Sequence, residues 1–523
     1  MKILDCTLRD GGYYTDWDYP QSLIDTYFDC IKNLPIDVIE IGYIGHPKTI
    51  NDYRGKFYYL SPLDAKKIKI KVKNKKIAIM IDTKDWTNLN ELKKTLAKYS
   101  GIVDVIRFAV DWKNITKQKK MIKCAGNLNF QVCTNLMYCH EFLKNKKLKS
   151  IISNIIEHSD VIYFVDSFGA LLPGELSQII KEFKQHYPTK KFGFHGHNNL
   201  ELALSNSIEA IKNNAYLVDS TITGMGRGAG NLKTELLLSY LKNLNTDKNV
   251  NFDILDKIVK KFENLKKNYN WGTNLPYMLS GSNKIPQSNV TKFVNSNRLD
   301  YKDLLSFNKK KINLANNNSF KTYKHKIPKI KNVLLVGGGD TIKQFDRYLI
   351  SLLNKNKNLN IIFASPKNLD NILKYKIKNK IFLCLGYSDY NKNKSEIKKY
   401  KKIIYLMDKN VFMSLEKEKL KKYCLLKINN QISYYKKNSP LFIAFESLKQ
   451  MKTKNVFMIG FDGYKNQKID IYSKFLNEEN QEIIDFFKKK INLYSLTPTI
   501  YKGLNSYSLF KELLKNKNSL NSL

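Results

Sequence analysis

Short apolar runs alternate with amphipathic stretches through the first half of the chain. The runs Lys2–Thr7, Asp37–Gly42, Ile77–Asp82, Val103–Phe108, Phe130–Asn135, Val161–Asp166, Lys191–His197 and Tyr216–Thr221 have the length and β-branched content of buried strands. Between most of them lie segments with apolar positions at helical spacing: Pro20–Asn33, Leu89–Lys98, Leu148–His158, Pro173–Gln185 and Leu200–Asn213. Continuous apolar strands followed by helices predict parallel strands covered on both faces. Eight such units predict closure into a (β/α)8 barrel, with an open doubly wound sheet as the alternative.

The pattern changes after the eighth run. Helices are expected at Phe252–Lys267 and across Tyr277–Phe293, followed by an Asn- and Lys-rich polar stretch that reads as a linker. A new strand at Asn332–Val336 then runs into Gly337-Gly338-Gly339-Asp340 and a helix from Thr341, the opening of a doubly wound domain in which backbone amides hold an anion. Further strands are expected at Ile361–Ala364, Ile381–Leu385, Ile403–Met407 and Val456–Gly460. The run from Leu441 reads as a strand to Phe445 and also as the start of a helix leading to Asn455. The predicted organisation is therefore an α/β chain with the barrel in 1–245, a helical extension in 246–310, a linker in 311–331 and a Rossmann-like α/β domain in 332–523. For that last domain, binding of a nucleotide or sugar-phosphate and an oligomerising role both stand open.

Composition narrows the function classes. A chain of 523 residues, 43% of them hydrophobic, can bury two cores. No stretch approaches the ~20 apolar residues of a membrane span, and the N-terminus lacks a signal peptide's apolar run, so a soluble cytoplasmic protein is expected. Seven scattered cysteines without a CxxC pair exclude a thiolate zinc site of the usual spacing and predict reduced thiols. The net charge of +42 comes almost entirely from Lys spread along the whole chain. It lacks the Arg-rich or aromatic-interleaved stripe of a reading surface, so no nucleic-acid partner is expected.

In a barrel of this kind chemistry sits at the C-terminal strand ends, and polar residues collect there: Arg9 and Asp10 after the first strand, Glu40 in the second, Arg107, Asn135 and Asp166 at the next ends, and His195-Gly196-His197 at the seventh. Side chains at i and i+2 of a strand share a face, so both imidazoles enter one side of the barrel. With Asp10 they make a set of two imidazoles and one carboxylate that can hold a divalent cation and leave positions open. Asn231 can add an oxygen. Glu40 is expected to pair with a cation such as Arg9, and the glycine-rich run Gly224–Gly230 to let backbone approach this site.

Three ordered motifs carry a resemblance: Thr-Leu-Arg-Asp-Gly-Gly (Thr7–Gly12), His-Gly-His-Asn-Asn (His195–Asn199) and Gly-Met-Gly-Arg-Gly-Ala-Gly-Asn (Gly224–Asn231). Together they resemble the metal-dependent pyruvate-type lyases and aldolases of the TIM-barrel fold, the superfamily of hydroxymethylglutaryl-CoA lyase, isopropylmalate synthase and 4-hydroxy-2-oxovalerate aldolase. The stretch Trp271–Ser280 resembles the segment after the barrel in the aldolase branch. The resemblance implies a divalent cofactor, Mn2+ or Mg2+ first and Zn2+ as an alternative, on Asp10, His195, His197 and, by transfer from the lyase branch, Asn231. It also implies a small-molecule 2-oxo acid substrate, with Arg9 stabilising the enolate. A homodimer is the assembly expected. The chain departs from the aldolase pattern where a histidine base stands, since Tyr13 holds that place and a phenol with an ordinary pKa near ~10 is a poor base. Tyr13 is ranked first for the role, with Tyr14, Tyr43, Tyr58, Tyr59, Cys139 and His140 behind it. An acyl-CoA-dependent Claisen lyase or synthase, and an inactive barrel in a binding or assembly protein such as one of surface-glycan biosynthesis, are the alternatives.

Overall fold

The computed structural model describes residues 1–46, 54–110, 115–142, 152–244, 249–296, 304–305, 327–385, 403–408, 423–426, 439–464 and 471–507. The start of the helix expected from Leu148 and most of the expected linker lie outside them. Two compact units divide the chain, Met1–Val290 and Thr291–Leu523.

Eight parallel strands close the first unit in chain order: β1 (Lys2–Asp5), β2 (Val38–Tyr43), β3 (Lys76–Ile81), β4 (Val105–Val110), β5 (Gln131–Leu136), β6 (Val161–Asp166), β7 (Lys191–Gly196) and β8 (Leu217–Ser220), with β1 hydrogen-bonded to both β2 and β8. Each falls within two residues of its predicted run. Helices cover the outside, among them Gln21–Ile31, Leu89–Ala97, Pro173–His186 and Ala203–Lys212 as expected. Pro62–Lys71 joins them from a sequence whose Lys/Ile alternation hides its helical period. Ser61 caps that helix by accepting from the Asp64 amide at 3.1 Å.

Pleating sorts the barrel interior into levels. Leu4, Val38, Ala78, Val105, Cys133, Val161 and Leu217 pack as one buried apolar floor. Two residues further along their strands, pointing the same way, come Cys6, Glu40, Arg107, Asn135, Tyr163 and Asp219, all buried. The polar residues thus sit above an apolar plug, at the end of the strands where the loops begin.

The helix Phe252–Tyr269 follows the barrel and packs Phe262 against Tyr27 of the helix Gln21–Ile31, ring centroids 6.2 Å apart. The Tyr277–Phe293 region, expected to be helical, holds two helices, Leu275–Ser282 and Gln287–Ser296. Lys284, with φ of 52°, and Pro286 break the chain between them.

The second unit is a parallel sheet in the order β13-β12-β11-β10-β9-β14-β15-β16, from β9 (Asn332–Val336), β10 (Asn360–Phe363), β11 (Ile381–Cys384), β12 (Ile404–Asp408), β13 (Tyr423–Leu426), β14 (Asn455–Ile459), β15 (Asn492–Ser495) and β16 (Asn505–Ser506). The strand reading of Leu441–Phe445 is overturned: the run belongs to the helix Pro440–Gln450, in which every residue from Leu441 to Leu448 is buried. A helix buried all round carries no polar stripe, so periodicity could not separate it from a strand. The amide that follows the Gly337–Asp340 turn does meet an anion, but the anion is internal. Asp462, after β14, accepts from the Thr341 amide at 2.9 Å and from the Thr341 hydroxyl.

Candidate metal centre

After β1 the chain forms a single helical turn, Thr7–Asp10, held by the Asp5 carboxylate on the Thr7 amide (3.0 Å) and by the Ile222 amide on the Thr7 hydroxyl (2.9 Å). Trp17 fixes the far side, its indole N–H donating to the Arg9 carbonyl at 2.8 Å. A Cβ on Gly12 would stand 2.1 Å from that indole, so only glycine lets the turn and the ring coexist. The turn points Arg9 and Asp10 into the barrel mouth, where both are buried.

Across the mouth, His195 and His197 leave β7 on one face, ring centroids 5.1 Å apart. Ligand atoms of Asp10, His195 and His197 all lie within 4.8 Å of one another, and His195 Nε2 is 3.9 Å from Asp10 Oδ2. The segment Gly224–Asn231 folds back over them: Asn198 N–H donates to the Gly230 carbonyl at 2.9 Å, and His197 bridges to Asn231. Gly226 passes so close that a Cβ there would lie 2.3 Å from Asn231 Nδ2 and 2.9 Å from Asp10 Oδ2. Asn231 donates its amide to Asp10 Oδ2. Its carbonyl Oδ1 and the Nδ1 of His197 are buried without a hydrogen-bond partner. Buried polar atoms are rarely left unpaired, and a divalent cation at this cluster would supply a partner of the kind they lack. The donor set of carboxylate, two imidazoles and an amide oxygen fits such an ion.

The electrostatics prepare these groups to coordinate. Burial alone pushes the Asp10 carboxyl up, but the Arg9 guanidinium and both histidines outweigh it and hold the group down at about 2. Burial, and then the neighbouring His195, push the His197 imidazole down to about 3, so it is neutral and able to ligate. A second set, Cys6, His195 and Asp219, also has ligand atoms within 4.8 Å of one another. There Asp219 is engaged by Arg107, and burial raises the Cys6 thiol well above its ordinary range.

Behind the ligands runs a closed series of ion pairs. Arg9 donates to Asp10 Oδ1 (2.5 Å) and, through Nε, to Glu40 Oε2 (2.8 Å). Arg107 donates to the same Glu40 oxygen (3.0 Å) and to Asp219 Oδ2 (2.6 Å), and Asp219 Oδ2 accepts from His195 Nδ1 at 2.9 Å. A carboxylate can only accept, so Nδ1 of His195 carries the proton and Nε2 is left to face Asp10. The guanidinium carbon of Arg107 lies 4.4 Å from the Tyr163 ring centroid. The predicted residues Arg9, Asp10, Glu40, His195, His197 and Asn231 therefore meet at one place, with Arg107 as a core pairing residue rather than a mouth residue. Asp219 was missed. An acid in the middle of a predicted barrel strand, two positions after an inward Leu217, was the signal for it.

Tyr13 stands at the rim, 43% exposed, its hydroxyl 3.3 Å from that of buried Tyr43. Other tyrosines are engaged elsewhere: Tyr14 donates to the Gly228 carbonyl (2.9 Å) and Tyr58 to Asp85 (2.6 Å). Tyr59 accepts from Arg54 at 3.0 Å. His140 packs on Phe168, and Cys139 is a buried thiol raised by that burial. Asp166 turns into its own loop, accepting the Leu171 amide at 2.9 Å.

A closed parallel barrel with aspartate, histidines and arginine gathered at the C-terminal strand ends is the architecture of an enzyme whose site can hold a divalent cation. Comparison with known proteins gives the family. Residues 1–261 match the HMGL-like family model, and through them the chain belongs to that family, an aldolase or lyase enzyme of the pyruvate type. The chain is similar to the 4-hydroxy-2-oxovalerate aldolase of Geobacillus thermodenitrificans, 27% identical over 265 residues that cover 49% of this chain and 75% of the relative. The enzyme of that description from Carboxydothermus hydrogenoformans is 28% identical over 264 residues, covering 50% and 77%. Among solved structures, the N-terminal domain of a candidate aldolase from Bacteroides vulgatus is 43% identical, with a TM-score of 0.53, over 56% of this chain and 97% of that one. Among the described residues, no helix is long and apolar enough to cross a membrane.

Proposed function

We propose that the chain is a divalent-metal-dependent aldolase that makes or breaks the C3–C4 bond of a 4-hydroxy-2-oxo acid, with pyruvate as one fragment. The observation that carries this reading is the convergence of Asp10, His195 and His197 within 4.8 Å, beside the orphaned Asn231 oxygen. These four residues would hold the ion through two oxygens and two imidazole nitrogens, with Mn2+ or Mg2+ as the choice the resemblance implies and Zn2+ the alternative. A divalent ion held there would supply Lewis-acid polarisation of the substrate carbonyl.

The protein's own groups do the rest. In cleavage, the 4-hydroxyl proton moves to the Tyr13 phenol oxygen as the phenol passes its own proton to water, which the exposed rim position allows. The C3–C4 bond breaks, its electron pair becomes the enolate of the 2-oxo acid, and a proton returned to C3 completes pyruvate. Arg9 uses some of its N–H donors on Asp10 and Glu40 and offers the remaining ones to the enolate oxygen. Glu40 sets the plane of that guanidinium. Tyr43, whose phenol burial first and Tyr13 second push well above the ordinary range, stays protonated and orients Tyr13. Exchange of pyruvate methyl protons in deuterated water, followed by NMR, tests the reading without a second substrate. Exchange by the metal-loaded chain that disappears on chelation is the expected result, and undiminished exchange after complete metal removal would refute it.

A further inference from the structure

The chain contains six arginines among its 89 basic residues. Where lysine is the default cation, an arginine marks a position at which a planar, two-pronged donor matters. Three of the arginines in the barrel unit use that geometry internally: Arg9 on Asp10 and Glu40, Arg107 on Glu40 and Asp219, and Arg54 on Asp85 and Tyr59. Arg227 does not. Among the described residues no carboxylate pairs with it, although it is only half-buried and follows Gly226, which runs against Asp10 and Asn231.

Its position is fixed by the backbone on both sides. Gly226, immediately before it, runs against Asp10 and Asn231. Tyr14 holds the carbonyl of Gly228, immediately after it, and the Gly230 amide donates to the carbonyl of Arg227 itself at 3.3 Å. The guanidinium carbon lies 5.4 Å from the ring centroid of Tyr13, a ring that also packs 4.9 Å from the Trp17 indole. Its charge is felt at the His197 ring. A fork with no carboxylate partner among the described residues, stacked on an exposed phenol and near a candidate ligand imidazole, is a preformed anion receptor.

The 2-oxo acid half of the proposed reaction leaves this cation without work, because a bound divalent ion and Arg9 would serve its carboxylate and keto oxygen. We infer that Arg227, stacked on Tyr13, is a specificity-determining residue that binds an acidic group, carboxylate or phosphate, on the aldehyde fragment joined to or released from the 2-oxo acid. This rests on the aldolase reading above. It names the class of the second substrate: an aldehyde carrying an anion, in preference to a simple alkyl aldehyde.

Calorimetric titration of the metal-loaded full chain, with pyruvate present, tests it on matched probes: glyceraldehyde against glyceraldehyde 3-phosphate, and butanal against succinate semialdehyde. The expected result is that at least one acidic probe binds about tenfold or more tightly than its neutral partner, the strength of a charge-assisted bidentate contact. The acid that gains identifies phosphate or carboxylate. Arg227→Leu should erase the difference and Arg227→Lys retain part of it, with circular dichroism and metal content confirming that each variant is folded. Equal binding of neutral and acidic probes by the wild-type chain, or a preference that survives in Arg227→Leu, overturns the assignment. Pyruvate proton exchange is read in parallel on the wild type. Its absence removes the aldolase reading, whereas a flat response to probe charge removes only the anion subsite.

Discussion

Nδ1 of His195 donates to Asp219 Oδ2 across 2.9 Å, and the same oxygen takes a guanidinium N–H of Arg107 at 2.6 Å. One carboxylate atom thereby sets the tautomer of a candidate metal ligand and ties it to the ionic core of the barrel.

Asp219→Asn should lower metal affinity by ~10–100-fold, because an amide at this position can offer an N–H to Nδ1 and move the ring proton to the nitrogen that must ligate. Metal titration followed by calorimetry reads the effect. An affinity within twofold of wild type would show that Asp219 does not orient His195.

Glu40 receives both Arg9 and Arg107 on one oxygen in a site closed to solvent. Glu40→Gln leaves two buried guanidiniums short of a counter-charge, which should cost the first unit about 3–5 kcal/mol. Chemical denaturation of the full chain measures this, and a loss below ~1 kcal/mol would mean the arginines find other partners.

Arg9→Lys keeps the charge and loses the fork. The rate of pyruvate proton exchange should fall by about 10²–10³, the usual consequence of removing a donor from a developing oxyanion. Metal content should stay near stoichiometric, which separates this loss from a collapse of the site.

His197 sets a pH dependence whose sign is fixed. Its folded-state value of about 3 lies below the ordinary 6.5, so on acidification the unfolded chain takes up the proton first. The metal-free protein keeps this contribution above about pH 6.5 and loses it progressively as the pH falls toward 3, by on the order of a few kcal/mol. His197→Gln should flatten that part of the stability–pH curve, and an unchanged slope would assign it to other groups.

Most of the barrel was readable because its strands are buried on both faces and so appear as uninterrupted β-branched runs, each closed by a polar cluster at the functional end. The pairing of Arg9 with Glu40 was also legible, since a carboxylate in the middle of an apolar strand needs a cation. Asp219 escaped because it lies inside a run read only for its hydrophobicity. The helix Pro440–Gln450 escaped in part for the opposite reason: burial on every side removed the stripe that distinguishes a helix. Arg107 was visible as a residue, but its depth was not. That depth follows from inward residues stacking by level, which becomes apparent only when the strands are in register.

The apolar layer of Leu4, Val38, Ala78, Val105, Cys133, Val161 and Leu217 closes the barrel axis from beneath. Everything the enzyme handles must therefore come and go through a single doorway. In such a vessel the partner seated deeper arrives first and departs last, so the 2-oxo acid should bind before the aldehyde and leave after it. Product-inhibition patterns will show whether turnover follows that queue.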